Sequence, residues 1–280
     1  MSYSGESRLI KLGKRISKIH PLVRYSLARI YDLYILYRAK SFRIKVFLSK
    51  KIFGHPKDSM VNLGAGHWYK RGWTVLDFES EWYCENKLFI DYHYDLTKRE
   101  RMPFADGSID FFYSSHTFEH VSGDDCIHAI GEIYRSLKTG GVLRITVPDL
   151  NLIYEMYKNG EDEFFQQYMK AYNATLTQAF MSQFARPRMN EGDEIIRSKF
   201  IALNKVDFLN YYTHDLKQRP EIAGYHINWF NSNKWEGILR QAGFTEIYKS
   251  TRQGSRFKEL RGKDFDSGMP DASLYVEAIK

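Results

Sequence analysis

The sequence predicts an α/β protein with a parallel, doubly wound sheet, and two observations lead to this fold class. From residue 58 onward, short apolar runs that suit strands alternate with runs of helical periodicity. The first of these strands leads directly into the turn Gly64-Ala65-Gly66, where glycines allow a sharp entry into a helix. With 280 residues, the chain can form one sizeable α/β domain with additions.

The predicted strands and helices follow one another in the order that such a sheet requires. Strands are predicted at residues 60–63, 74–77, 90–96, 109–114, 142–147, 244–249 and 273–279. A helix over residues 125–137 is predicted to stop at Lys138-Thr139-Gly140-Gly141, which combines a basic last turn with glycine caps. A second helix, over residues 233–241, has Ser232 as its predicted cap and Gly243 as its end.

A basic arm, residues 1–57, precedes the predicted sheet domain of residues 58–280. The arm holds 14 Lys or Arg and two acids, a balance of +12, so the rest of the chain carries −5 of the net +7. Its apolar residues recur at helical spacing, which leaves three roles open: packing on the domain, contact with an anionic membrane surface, or binding of nucleic acid. None of its apolar runs is long enough to predict a transmembrane helix.

Residues 151–225 differ in character and are predicted to form a helical insertion, or lid, within the domain. They are rich in Tyr, Phe and Gln, and their helical pattern breaks near Arg186-Pro187-Arg188. Aromatic residues make up 16% of the chain and either fill a core or line a substrate cleft. The two cysteines, Cys84 and Cys126, fit no metal spacing or disulfide framework, which favours a reducing, cytoplasmic location.

The glycine turn after the first strand indicates a ligand-binding loop. Glycines there let the backbone approach a ligand closely, and the helix that follows favours anionic groups. A dinucleotide fingerprint needs a third glycine five residues after Gly64, but Tyr69 stands at that position. The loop therefore favours a cofactor without a pyrophosphate.

Polar residues end the next three predicted strands. Asp77 ends the second strand, Asp95-Leu96 the third, and Ser114-Ser115-His116 the fourth. Because ligands bind beyond the carboxyl ends of parallel strands, these residues should meet in one crevice. There Asp77 can accept hydrogen bonds from ribose hydroxyls and Asp95 from an adenine amino group, while Leu96 covers the ring.

Several segments resemble class I S-adenosylmethionine-dependent methyltransferases of the methyltransferase-11 type. The similar segments lie at residues 61–66, 76–77, 95–96, 102–110, 115–121, 137–141 and 241–244. The resemblance implies a Rossmann-like sheet of seven strands, mostly parallel with an antiparallel last strand, and S-adenosyl-L-methionine as the cofactor. Further segments at residues 147–149, 226–230, 265–266 and 273–278 are similar to members predicted to act in glycan or envelope-polysaccharide synthesis.

The same resemblance implies a set of cofactor-binding residues. The set comprises Asn62, Gly64, Ala65, Gly66, Asp77, Asp95, Leu96, Ser114 and Ser115. At the position of Asn62 the family usually has Asp or Glu, and that acid helps to place the methionine amino group of the cofactor. Asn62 keeps a carbonyl acceptor but lacks the charge.

Methyl transfer to a hydroxyl group would also need a general base, besides alignment for an in-line displacement. By topology His116 is predicted to lie closest to the transferred methyl group, and His226 to enter from the lid side. Asp149 is predicted to orient a base or to hold acceptor hydroxyls, and Glu119 and His120 are further candidates. Residues of metal-ligand type occur together at positions 116–120, but methyl transfer requires no metal and none is predicted.

The sequence thus predicts O-methylation of a sugar, glycan or other small-molecule acceptor. Two alternatives stay open: a nucleic-acid methyltransferase that uses the arm, and a non-catalytic interaction protein that keeps the fold. The acidic balance of the sheet domain disfavours nucleic acid. A cytoplasmic location is expected, with peripheral membrane contact through the arm.

Overall fold

All seven predicted strands are present and form one sheet. The structure, a computed structural model, describes residues 59–66, 68–79 and 90–280. The strands are β1 (Met60–Leu63), β2 (Thr74–Asp77), β3 (Tyr92–His93), β4 (Ile109–Ser115), β5 (Leu137–Pro148), β6 (Glu246–Lys249) and β7 (Ser273–Ile279). Their order is β3-β2-β1-β4-β5-β7-β6, and β7 is antiparallel to both of its neighbours whereas the other pairs are parallel. The predicted Rossmann-like architecture is confirmed.

Most of the helices in the described part of the chain lie between β5 and the helix that precedes β6. The helices are α1 (Gly123–Ser136), α2 (Leu150–Lys158), α3 (Gln166–Tyr172), α4 (Leu176–Met181), α5 (Asp193–Ala202), α6 (Lys205–Thr213) and α7 (Ser232–Ala242). Helices α2 to α6 make up the insertion, and a short 3-10 turn at Arg186–Arg188 interrupts them where the sequence pattern breaks. The long connection from β5 to α7 is therefore helical, as the sequence predicts.

The third strand is shorter than predicted. Strand β3 has only two residues, Tyr92 and His93, and the predicted strand over 90–96 is wrong beyond them. Asp95 instead caps a 3-10 turn, Leu96–Lys98, because its Oδ1 accepts hydrogen bonds from the backbone N–H and the hydroxyl of Thr97. A short acidic side chain that binds the backbone locally competes with strand pairing, which explains the early end.

Helix α1 ends at Ser136, one residue before its predicted end. Residues 138–141, predicted to be the glycine-capped stop before the next strand, instead belong to β5, which begins at Leu137. Leu137 is fully buried and pairs with Ile109 of β4, so burial in the sheet outweighs the local glycine signal. Gly140 has a φ of +78° and its N–H donates to the carbonyl of Lys280, which places the glycines at an irregularity within the strand.

Smaller differences concern the ends of other elements. Asn231, not Ser232, caps α7, because Asn231 Oδ1 accepts from the Lys234 N–H and Ser232 is the first helical residue. Gly243 ends this helix in the left-handed region, as predicted. Strand β4 runs one residue further than predicted, and β6 begins two residues later.

The sheet packs apolar side chains on both faces. Val61 and Leu63 of β1 face a core that contains residues of α1 and α7. On the opposite face, Trp73 and Tyr113 pack against Phe265 from the loop before β7. The insertion has its own core, built largely from aromatic rings at positions 154, 157, 165, 180, 184, 200, 208 and 212. Much of the aromatic surplus therefore fills a core.

A buried ionic cluster fixes the loop before β7 to the sheet. Arg144 of β5 and Glu277 of β7 are direct cross-strand partners, and Asp266 joins them from the loop; this group of three is called the arginine cluster below. The guanidinium donates to both carboxylates, to Ser250 Oγ at 2.9 Å and to the carbonyl of Thr251 at 2.8 Å. Each donor nitrogen thus has a partner, as a buried arginine requires.

The predicted basic arm, residues 1–57, lies outside the described residues, and its three alternative roles stay predictions. In the part of the chain that the structure describes, no helix is long and apolar enough to cross a membrane.

Candidate functional site

A cleft opens at the carboxyl ends of β1, β2 and β4, where the sequence places the ligand crevice. It gathers eight predicted site residues: Gly64, Ala65, Gly66, Asp77, Asp95, Leu96, Ser115 and His116. The remaining lining residues are Leu63, Phe78, Tyr94, Thr97, Thr117, His120, Val121, Gln218 and Ala223. The last two come from the insertion, so the insertion forms part of the wall.

The glycine loop is held tightly against the segment after β4. Gly64 has a φ of +68°, and a Cβ atom there would lie 2.2 Å from Thr117 Oγ1. The Gly64 N–H donates to the Leu76 carbonyl at 2.9 Å, and the Gly66 N–H donates to Asp77 Oδ2 at 2.8 Å. Gly64 is required both for its backbone angle and for the close approach. Asp77 therefore fixes the loop as well as lining the cleft.

Two predicted cofactor residues lie beneath the cleft rather than in its wall. Asn62 and Ser114 are buried, and neither lines the cleft. Asn62 Oδ1 and Ser114 Oγ have no hydrogen-bond partner among the described residues. Strand geometry explains the placement of Asn62, because Val61 and Leu63 occupy one face of β1 and Asn62 points to the other.

Asp149, predicted as a catalytic residue, has a structural position. Its carboxylate accepts from the Asn151 N–H at 3.0 Å and caps α2, and its own N–H donates to the Ala272 carbonyl. Asp149 does not line the cleft.

His116 lies at the end of β4 with a φ of +52°, a left-handed conformation that is uncommon for residues with a side chain. Its Nδ1 lies 2.9 Å from Glu119 Oε1, and its Nε2 lies 3.1 Å from Ser273 Oγ. Ser273 Oγ also lies 2.7 Å from the Met269 carbonyl, to which its hydroxyl can donate. Both ring nitrogens of His116 are therefore engaged.

His226 meets this group from the end of the insertion. Its Nδ1 donates to the Gln183 carbonyl at 2.9 Å, and its Nε2 lies 3.9 Å from Glu119 Oε1. The ring packs edge-on against His120, with 4.8 Å between the ring centroids. His226 is not in the cleft wall, whereas His120 is. Glu119, His116, His120 and His226 are called the histidine cluster below.

Burial and charge set the protonation states in the histidine cluster. Burial lowers the pKa of His226 to about 4 and also lowers the pKa of His120. Burial alone would raise the pKa of Glu119, but the histidines around it, His116 first, hold that pKa at about 2. At neutral pH the cluster therefore contains a buried carboxylate beside two neutral imidazoles, and Glu119 Oε2 has no hydrogen-bond partner among the described residues.

Several residues in the wall of the cleft were not predicted from the sequence. Thr117 is recognisable only from its contact with Gly64, and Phe78 and Tyr94 are indistinguishable from ordinary core aromatics. Gln218 and Ala223 lie more than 150 positions after the glycine loop, and no local sequence pattern predicts that they line the cleft.

Comparison with known proteins agrees with this architecture. Residues 75–145 match the family model described as a methyltransferase domain. No curated protein sequence matches the chain significantly.

Solved methyltransferase structures resemble the chain distantly. An S-adenosylmethionine-dependent methyltransferase from Mesorhizobium loti is 16% identical, with 80% of this chain and 92% of that chain covered and a TM-score of 0.41. One from Thermotoga maritima is 16% identical, with 90% of this chain and 96% of that chain covered and a TM-score of 0.39. One from Archaeoglobus fulgidus is 12% identical, with 88% of this chain and 99% of that chain covered and a TM-score of 0.39. A likeness this weak says nothing about the acceptor.

The domain match, the strand order and the position of the cleft agree with one another. Residues 75–145 carry a methyltransferase domain, and the cleft at the carboxyl ends of its strands is where S-adenosyl-L-methionine, the cofactor that this domain supports, would bind.

Proposed function

We propose that this methyltransferase acts on a hydroxyl group of a sugar, glycan or other small-molecule acceptor. The observation that supports this most is the histidine cluster at the wall of the cofactor cleft. His120 reaches the cleft while its Nδ1 donates to the Tyr225 carbonyl at 3.1 Å, so Nε2 of the neutral ring keeps its lone pair. A hydroxyl acceptor needs such a neighbour, because it must give up a proton as its oxygen attacks.

The cleft residues fit the cofactor in both shape and hydrogen bonding. The backbone at Gly64 and Gly66 leaves room for a ligand to approach, and a side chain at Gly64 would collide with Thr117. Asp77 is the residue proposed to hold the ribose, and Asp95, whose Oδ2 has no hydrogen bond among the described residues, to hold the adenine. When bound, the cofactor supplies an electrophilic methyl group on its sulfonium.

A second pocket beside the cleft supports a polar acceptor. It shares Thr97 and Gln218 with the cofactor cleft. Its wall is mostly polar and includes Arg99, Asp124, Asn210, Lys217, Asn228 and Lys234. Such a lining offers many donors and acceptors to a polyhydroxylated molecule and little to an apolar one. Envelope-polysaccharide or other glycan acceptors belong to this proposal.

The cofactor site is tested by Gly64→Ala, with Gly131→Ala as the matched control. Gly131 lies in α1, outside the cleft, and a Cβ atom there would meet nothing within 4 Å. We expect Gly64→Ala to weaken S-adenosylhomocysteine binding at least tenfold in calorimetry, because the loop must move away from Thr117. Gly131→Ala should bind as the wild type does. Equal affinities for all three proteins would contradict the assigned loop.

The acceptor class is tested by measuring S-adenosylhomocysteine formation with panels of hydroxyl and amine acceptors. We expect turnover with a sugar or polyol acceptor and a loss of roughly 100-fold or more in His120→Gln, the size expected when a proton acceptor is removed. His128→Gln is the control, because His128 is partly exposed on α1 and lines neither pocket. Turnover confined to amine acceptors, or an unchanged rate in His120→Gln, would contradict the proposal.

A further inference from the structure

The histidine cluster contains three groups with the donor atoms and spacing of a metal site. A potential ligand atom from each of Glu119, His120 and His226 lies within 4.8 Å of the other two. Two imidazoles and one carboxylate form a donor set that suits divalent transition-metal ions such as Zn²⁺, Co²⁺ or Fe²⁺. In contrast to an exposed acidic group, the carboxylate is fully buried.

The hydrogen bonds around the cluster hold both imidazoles in the ligating tautomer. His120 Nδ1 donates to the Tyr225 carbonyl at 3.1 Å, and His226 Nδ1 donates to the Gln183 carbonyl at 2.9 Å. Each Nε2 therefore carries the lone pair, and neither Nε2 has a hydrogen bond among the described residues. Backbone carbonyls that fix the distal nitrogen in this way are the usual outer partners of metal-bound histidines.

Glu119 supplies the remaining donor. One carboxylate oxygen, Oε1, accepts from His116 at 2.9 Å, while Oε2 is buried without a hydrogen-bond partner among the described residues. A buried carboxylate oxygen without a partner is costly, and a bound cation would remove that cost. The backbone also holds Glu119 in place, because its carbonyl accepts from the N–H groups of Ile227 and Asn228.

We propose that Glu119, His120 and His226 bind one divalent transition-metal ion at the wall of the cofactor cleft. Ligand atoms around a tetrahedral ion lie roughly 3.4 Å apart for bonds of about 2.1 Å. The observed spacing, up to 4.8 Å, is wider, so ion binding requires the three side chains to move closer together. His120 places the ion beside the cleft, where it would polarise an acceptor hydroxyl and lower its pKa.

Ion binding does not depend on the proposed acceptor, but the role of the ion rests on the proposed function. An ion on Nε2 of His120 would occupy the lone pair that otherwise accepts the proton of the hydroxyl group. The two roles of His120 therefore exclude each other.

The binding experiment uses the full, untagged chain after treatment with a chelator. We expect one equivalent of Co²⁺ to bind in calorimetry and to give visible d–d absorption, and Zn²⁺ to displace it. His226→Gln and His120→Gln should each weaken Co²⁺ binding at least tenfold, and Glu119→Gln should do the same. His128→Gln is the matched control, because His128 is partly exposed on α1, outside the histidine cluster, and hydrogen-bonds to the Glu100 carbonyl.

Circular dichroism and S-adenosylhomocysteine binding verify the fold of each variant, and the two histidine variants suffice if Glu119→Gln does not fold. Absence of stoichiometric Co²⁺ and Zn²⁺ binding by the wild type would overturn the proposal, and so would a His226→Gln protein that binds Co²⁺ like the wild type. Failure of the acceptor proposal would leave Co²⁺ binding intact, so the two failures are distinguishable. Full methyl-transfer activity in the chelator-treated enzyme would overturn the role of the ion and leave His120 as the base.

Discussion

The arginine cluster and the histidine cluster both bury charge in this domain, yet they differ in how completely their polar atoms are paired. In the arginine cluster, all the donor nitrogens of Arg144 have partners, and the carboxylates of Asp266 and Glu277 accept from several neighbours. In the histidine cluster, Glu119 Oε2 and the Nε2 atoms of His120 and His226 have no hydrogen-bond partner among the described residues. The complete cluster fastens a loop, whereas the incomplete one lies at the cofactor cleft. Complete pairing suits a structural role, and the unpaired atoms of the histidine cluster are those on which the proposed metal site rests.

The largest expected effect comes from breaking the complete cluster. Arg144→Met leaves the carboxylates of Asp266 and Glu277 buried without their cation, which should lower the free energy of unfolding by about 3–5 kcal/mol. Equilibrium unfolding in urea measures this loss in the free energy of unfolding. The control, Arg240→Met, removes an exposed ion pair with Glu236 on α7 and should cost about 0.5 kcal/mol or less. Similar losses in both variants would show that the arginine cluster does not stabilise the fold.

The second effect concerns pH. His226 has a pKa of about 4 in the folded protein and about 6.5 in the unfolded chain, so the folded state binds fewer protons between these values. Stability should therefore fall as the pH drops from 6.5 toward 4, by about 1.4 kcal/mol per pH unit for one proton. His226→Gln should reduce this pH dependence of the free energy of unfolding by up to the contribution of one proton. The control His128→Gln should show the same pH dependence as the wild type. An unchanged slope in His226→Gln would contradict the assigned protonation state.

Other charges bear on the same titration. The carboxylate of Glu119 raises the pKa of His226, whereas His120 and His116 lower it, and Arg186 lowers the pKa of His120. The stabilising contribution of the ionised Glu119 is lost at lower pH, as the pH falls from about 4.5 toward the folded-state pKa of Glu119, about 2. The histidine contribution should therefore be resolved first in an acid titration.

The smallest expected effect comes from removing single hydrogen bonds, one in the arginine cluster and one to His116 of the histidine cluster. Thr146→Val removes a donor to Asp266 Oδ1 at 3.0 Å, and Ser273→Ala removes the partner of His116 Nε2 at 3.1 Å. Each should cost about 1 kcal/mol in urea unfolding. Only Ser273→Ala should also lower the rate of methyl transfer, because it removes a hydrogen bond that holds the His116 ring in the cleft wall. An equal change in Thr146→Val would show that the clusters are not functionally distinct.

The sequence predicts the fold and the meeting place of most residues in the cleft wall, for a physical reason. Asp77 and Ser115 end their strands and His116 follows one, and these strands all end at the same edge of the sheet, so the meeting place follows from parallel topology. Asn62 and Ser114 precede those ends and are buried within the sheet. Sequence pattern indicates where a strand ends more readily than which residue first projects beyond it.

The histidine cluster shows where such reasoning stops. Glu119 and His120 are adjacent, but His226 joins them only because the chain returns from the insertion, more than 100 positions later. Local periodicity contains no information on that return. The early start of β5 was missed for the opposite reason. The local glycine signal favours a loop at residues 138–141, but Leu137 is buried in the sheet and begins the strand there.

The two ends of the insertion have a consequence for how such a protein can be altered. The Leu150 N–H donates to the Phe230 carbonyl at 3.0 Å, so the chain leaves the sheet domain and re-enters it at neighbouring points. Segments between these points can lengthen, shorten or be exchanged at little cost in chain closure, which grows only slowly with length. The junction at Leu150 and Phe230 is thus a natural graft point, at which acceptor preference could be redesigned while the glycine loop stays as it is.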